Sequence, residues 1–215
     1  MKLFSQSFRY DDNWPIVALA FFLRYPNPYA SHVISCDVIA RDFTSNGTLR
    51  TTRLILKRGS LPAWFPSGIM PRSESWIIEE SEVDPEGRVM HCTTRNLDHV
   101  TSLQVIESTQ LKETADGQCT SQYTEARFVS RFGWGLTKRI EQFGAAKFKA
   151  NIERSRQGIS LVLRSLRELR DSRMHLGPGA QSLSARLNFS SVRPSSFSSA
   201  SLSELSDPLK MRSSE

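Results

Sequence analysis

The longest apolar run in this 215-residue chain, Ile16 to Leu23, has eight residues. A membrane-crossing helix needs roughly 20, so the sequence predicts no transmembrane span. No basic segment precedes an apolar stretch at the N-terminus, which carries Asp11 and Asp12 and alternates like a strand. Neither a cleavable signal nor an Arg-rich presequence is expected, and any organelle address would be internal or supplied by a partner. Cysteine is scarce. Cys36, Cys92 and Cys119 are widely spaced with no CxxC, which speaks against a disulfide framework or a metal site and for small core or near-surface residues. There is no P-loop, no GxGxxG after a strand, no GxSxG and no HExxH. His32 lacks the Cys or carboxylate company of a nucleophilic or metal constellation. With no catalytic set visible, a binding or carrier role is favoured over an enzyme.

What is present is an ordinary globular composition, 39% hydrophobic and 23% charged, with a net charge of +6 and a pI near 9.5. That balance suits anionic partners, phospholipid surfaces or nucleic acid, without choosing between them. Phe4, Phe8 and Tyr10 recur at a period of two and predict a strand over Met1–Tyr10. Asp12 or Asn13 can cap a helix that takes Pro15 in its first turn and runs to about Arg24. Strands are expected at Val33–Phe43, Leu49–Leu56, Glu74–Val83, Val89–Leu97, Val100–Leu111 and Thr120–Val129. Asn46-Gly47, Asp84-Pro85-Glu86-Gly87 and Asp116-Gly117 lie between them as turn signals. From about Trp134 to Arg173 the period is helical, with Gly144 and Gly158 as possible bends. From Gln181 to Glu215, 13 of 35 residues are serine, which predicts a disordered tail. The expected domain is 1–173 and the tail 174–215. The fold class is α+β: an antiparallel meander with an early helix, curling around a long C-terminal helix that can close a cavity against the sheet.

Four features could serve a ligand. Arg24 ends an apolar helix just before Pro26, where a cation suits the helix dipole and borders the apolar interior. Ile140, Lys147 and Arg154 are spaced by seven, nearly two helical turns, so they share a stripe that starts apolar and becomes basic. Those cations could face a phosphate in a cavity or snorkel along an apolar surface. The loop Arg58–Met70 carries Leu61, Trp64, Phe65, Ile69 and Met70 between prolines and glycines. These side chains could tuck beneath the loop, or form a lid that dips into a membrane. Lys57 and Arg58 either protect a strand edge or extend a phosphate-binding cluster.

Blocks of the sequence resemble a known family. Ala20-Phe21-Phe22-Leu23-Arg24-Tyr25-Pro26-Asn27-Pro28-Tyr29, then His32-Val33 and Asp37, resemble the PRELI-like lipid-transfer proteins of the mitochondrial intermembrane space. So do Gly47-Thr48-Leu49-Arg50-Thr51-Thr52-Arg53-Leu54 and Leu61-Pro62-x-Trp64. Glu74-x-Trp76-Ile77-Ile78-Glu79, Thr94-Arg95-Asn96-Leu97-Asp98-His99, and Lys147-Phe148 with Asn151, Ser155-Arg156 and Gly158 follow in register, over about residues 1–172. Arg-Tyr-Pro-Asn-Pro-Tyr and Asn-Leu-Asp-His are most similar to the fungal branch that carries phosphatidic acid.

The resemblance implies a curved sheet of about seven strands and helices around a lipid pocket, with a lid at Arg58–Met70. Arg24 would contact the headgroup, with His32, Lys57, Lys147 and Arg154 lining the pocket. The ligand would be phosphatidic acid, carried between the outer and inner mitochondrial membranes to supply cardiolipin synthesis, with no cofactor and no metal. The implied partner is a small twin Cys-x9-Cys protein of the intermembrane space, forming a heterodimer, and the protein would sit peripherally on anionic membranes. Ser60 stands where a similar member of the family has lysine, and Phe143 where it has tryptophan. The competing expectations are a phosphatidylserine carrier, a basic RNA-binding module, disfavoured because no aromatic stacking strip is visible, and a hydrolase on the same cavity.

Overall fold

The computed structural model describes residues 1–59, 64, 74–133 and 135–175. Strand β1 (Lys2–Tyr10) leads into helix α1 (Trp14–Phe22). Six further strands follow: β2 (Val33–Phe43), β3 (Leu49–Arg58), β4 (Glu74–Asp84), β5 (Val89–Asn96), β6 (Gln104–Glu113) and β7 (Thr120–Val129). Helix α2 (Thr137–His175) completes the unit Met1–His175. Every strand pair is antiparallel, in the order β1-β7-β6-β5-β4-β3-β2. The meander is therefore as expected, except that β1 crosses to pair with β7.

Local chemistry sets the ends of these elements. Asn13, not Asp12, caps α1, its side chain accepting from the Ile16 amide. Asp12 instead binds Arg167 of α2. Helix α1 stops at Phe22, two residues short of Arg24, and Arg24 Nη1 turns back to donate to the Phe21 carbonyl at 2.6 Å. Strand β6 starts four residues later than Val100. The segment before it is a turn in which Asn96 donates to the Asp98 and Leu103 carbonyls and accepts from the Val105 amide, at 2.6, 2.9 and 2.8 Å.

Helix α2 runs unbroken through Gly144 and Gly158, the two positions expected as possible bends. They are places of close approach. A Cβ on Gly144 would lie 2.6 Å from Leu103 Cδ2, and one on Gly158 would lie 2.6 Å from Asn27 Nδ2. The glycines let α2 lie against the β6 turn and the Asn27 loop.

The two halves of α2 do different work. Its C-terminal half sends Ile159 and Leu163 onto α1, whose Trp14, Val17, Ala20 and Phe21 pack on Met90 and Leu111 of the sheet. Trp14 Nε1 anchors α1 to the Leu111 carbonyl at 3.2 Å. This is the core. The N-terminal half stands over the remaining sheet, and a cavity is left between them. No helix among the described residues is long and apolar enough to cross a membrane. The residues Leu61, Phe65, Ile69 and Met70 of the expected lid, and the Ser-rich tail from Leu176, lie outside the described residues.

Candidate functional site

The cavity has a volume of about 260 Å³. Its floor is the concave face of β3 to β7, and its wall is α2 from Phe143 to Arg156. Pairing register puts Arg53, Glu79, Thr94 and Glu107 side by side across β3, β4, β5 and β6. A charged and hydroxyl-bearing row thus crosses the inner face of the sheet, where an apolar floor would be expected beneath acyl chains.

Arg24 lines this cavity and is 5% exposed. Its guanidinium is already engaged. One Nη donates to Glu79, and the group stacks on the Phe21 ring at 3.7 Å. Arg53 holds the other Glu79 oxygen through Nε at 2.7 Å and through Nη2, and donates to the Phe22 carbonyl at 3.0 Å. Burial works to raise the Glu79 carboxyl, but the two guanidiniums outweigh it and hold it below the usual carboxylate range. A buried carboxylate with two charge-assisted partners is the arrangement that makes such burial tolerable. The loop carrying Arg24 is fixed by Asn27. Its Oδ1 accepts from the Tyr29 and Ala30 amides at 2.8 and 3.0 Å, and its Nδ2 donates to the Arg24 carbonyl.

Lys57, His32 and Lys147 also line the cavity, from β3, the loop before β2, and α2. His32 is half-buried, and burial, then Lys57, Arg154 and Lys147, push its pKa down to about 4. It is neutral at pH 7, and its buried Nδ1 has no hydrogen-bond partner among the described residues. Burial and then Arg154 lower Lys147 as well. Arg154 itself is exposed and does not line the cavity; its field reaches His32 and Lys147 from outside. The stripe on α2 therefore divides three ways: Ile140 is buried, Lys147 faces the cavity and Arg154 rides the rim. Trp64 is half-buried against α2, edge-on to Phe143 at 6.0 Å, with the Arg139 guanidinium 4.3 Å from its ring centre.

Glu79, Arg53, Glu107 and Arg156 were not singled out as site residues from the sequence. Strand parity relative to Lys57 would place Arg53 on the same face, but β3 carries polar residues on both faces and so hides which is inner. The three cysteines are free thiols. Among the described residues no group of His, Cys, Asp or Glu is arranged to hold a metal.

The PRELI-like family matches residues 16–169. The chain belongs to this family. The protein UPS1, mitochondrial, of Saccharomyces cerevisiae is 40% identical over 155 residues, covering 72% of this chain and 89% of that one. The ups1 homolog of Schizosaccharomyces pombe is 36% identical over 70% of this chain and 88% of its own. The bovine (Bos taurus) PRELI domain-containing protein 1, mitochondrial, is 31% identical over 72% and 71%. Among solved structures, the Thermus thermophilus protein TTHA0849 superposes with a TM-score of 0.51 at 14% identity, over 77% of this chain and 99% of that one. The Zhui aromatase/cyclase of Streptomyces sp. R1128 gives 0.51 at 10%, over 77% and 95%. These two share the PRELI-like chain's fold, a sheet wrapped on a long helix; a shared fold carries no activity across.

Proposed function

We propose that this PRELI-like protein is a mitochondrial phospholipid carrier that takes phosphatidic acid headgroup first and moves it between the outer and inner membranes, supplying cardiolipin synthesis. The observation that carries the reading is the cavity between α2 and the sheet, with Lys57, Lys147 and His32 on its lining and Arg24 at its floor. A phosphate between these groups would give the buried His32 Nδ1 a partner. It would also meet Arg24, whose five N–H donors outnumber those it spends on Phe21, Glu79 and Tyr25. The relatives named mitochondrial support the compartment. The intermembrane space, peripheral attachment to anionic membranes and a twin Cys-x9-Cys partner belong to the same reading. It has no chemical step, so the protein acts as a carrier and not as an enzyme.

In this scheme the basic surface docks on anionic lipid, Trp64 parts from Phe143, and the headgroup passes Lys57 and Lys147 to reach Arg24. The acyl chains follow along the Phe143 and Phe148 side of α2. A phosphatidylserine carrier is the second reading, and one observation favours it: the Glu107 carboxyl in the cavity is a ready partner for an ammonium group. Liposome-to-liposome transfer of phosphatidic acid, phosphatidylserine and phosphatidylglycerol, with and without the small partner, separates the two. The first reading requires phosphatidic acid to move fastest; preferential transfer of phosphatidylserine selects the second.

A further inference from the structure

Among the described residues of the cavity, Glu107 is the one carboxylate that the phosphatidic acid scheme does not use. It lines the cavity from β6, in register with Thr94 and, one strand further, Glu79. Its oxygens accept from the Thr94 and Thr109 hydroxyls at 3.1 and 3.3 Å, and it has no ion-pair partner among the described residues. Glu79, by contrast, is held by two arginines. Burial pushes the Glu107 carboxyl up; Lys57 and Arg24 pull the other way, and Glu79 adds to the rise. Of the remaining groups on the lining, α2 offers Lys147 and Arg156, the loops before β2 offer the Tyr25 phenol and a neutral His32, β5 offers the Cys92 thiol and Arg95, which reaches Glu80 at 3.7 Å, and β7 offers only uncharged side chains such as Gln122.

The charge at the floor then depends on one proton. Arg24 and Arg53 supply two positive charges and Glu79 one negative. Lys57, on β3, adds a third positive charge. With Glu107 neutral these groups carry two net positive charges, and ionising Glu107 cuts that to one. An anionic phosphate arriving there meets the full attraction in the first state and an opposing carboxylate charge in the second. Two oxygen anions in a shared low-dielectric site hold one proton between them.

We propose that Glu107 is a specificity-determining residue that sets how much negative charge the cavity accepts: protonated, it donates a hydrogen bond to a ligand phosphate oxygen, and ionised, it turns the phosphate away. Phosphate binding therefore takes up a proton at Glu107, from water. This inference rests on the carrier reading, and its test is arranged so that the two fail separately.

Phosphatidylcholine vesicles containing phosphatidic acid are incubated with the full chain from about pH 5.5 to pH 8.5, and the extracted lipid is quantified by mass spectrometry for wild type and Glu107→Gln in parallel. Glutamine keeps the shape and the donor without the titration. Docking and the titration of the lipid phosphate affect both proteins alike. Wild-type extraction should fall relative to the variant, by up to about tenfold per pH unit once Glu107 ionises. Parallel pH profiles overturn the inference while leaving the carrier reading intact. No extraction of any phospholipid by wild type overturns both. If Glu107→Gln does not fold, Thr94→Val serves. It removes a donor to the ionised carboxylate, so the falling limb should move to higher pH; an unmoved limb overturns the inference.

Discussion

Glu79→Gln is the substitution from which the site has most to lose. In the wild type its two oxygens hold Arg24 and Arg53, and all three side chains are less than one-tenth exposed. The variant keeps the shape but removes the charge, and its amide turns an N–H₂ toward at least one guanidinium. Two buried cations are left with their backbone acceptors, the Phe21 and Phe22 carbonyls, and with the faces of Phe21 and Phe22. Removing one side of a buried pair costs about 3–5 kcal/mol. A domain of this size loses about 2–4 °C of Tm per kcal/mol, so thermal unfolding should come roughly 10 °C earlier. The same change makes the cavity floor more positive by one charge. Loading with phosphatidic acid should therefore raise the variant's Tm by more than it raises the wild type's, because the phosphate replaces the lost carboxylate. Scanning calorimetry of lipid-free and lipid-loaded protein reads both quantities. A variant that melts with the wild type and gains no more from lipid would refute the coupling of Glu79 to Arg24 as the basis of the site.

Further outcomes follow from the same geometry. Gly158→Ala should destabilise, against the gain of about 1 kcal/mol that alanine brings to a helix interior, because its Cβ would displace the Asn27 amide that fixes the Arg24 loop; a net loss of about 1–2 kcal/mol in denaturant unfolding is expected from two or three lost hydrogen bonds. His32 is held neutral, at about 4 folded against roughly 6.5 unfolded. Its contribution is therefore complete above the unfolded value and is lost as pH falls from there toward 4. His32→Asn should flatten that acid limb of stability, and NMR titration should show the His32 pKa rising when an anionic lipid is loaded. For Glu107, whose folded value is raised, the sign reverses: Glu107→Gln should stabilise the lipid-free protein at neutral pH, and the difference should vanish once the medium is acid enough to protonate the carboxyl in the unfolded chain as well. Asn96→Ala should cost about 2–4 kcal/mol in the same unfolding assay, because it strips three bonds from the turn that starts β6.

Strand positions were legible because Asn-Gly and Asp-Gly turns separate runs of strand formers, and the register within each hairpin follows from the turn. The pairing of β1 with β7 was not, since it joins residues more than a hundred apart and leaves no local mark. Lys57 and Lys147 were legible as candidates because one ends a strand and the other lies on a helical stripe, whereas His32 entered only through the family resemblance; the structure brings all three to one cavity. Arg154 shares the α2 stripe with Lys147, yet it is exposed and does not line the cavity. Arg24 was legible as a cation beside an apolar interior. Its partner Glu79 was not, because the inner faces of β3 to β7 are themselves polar at the site, and alternation no longer distinguishes inside from outside. The block around Asn96 and His99 drew notice as a family signature; its geometry is that of a turn held by Asn96, with Asp98 accepting from the Trp76 amide at 2.7 Å.

The central claim is that the cavity holds a phospholipid by its phosphate. Native mass spectrometry of the protein after incubation with phosphatidic acid vesicles tests it most directly, with wild type beside Lys57→Glu, a cavity-facing change that leaves the Arg24–Glu79–Arg53 group intact. The account predicts one bound phosphatidic acid on the wild type, and loss of most of that adduct in a variant that still unfolds cooperatively. A wild type that carries no phospholipid, or a variant that carries as much as the wild type, would contradict it.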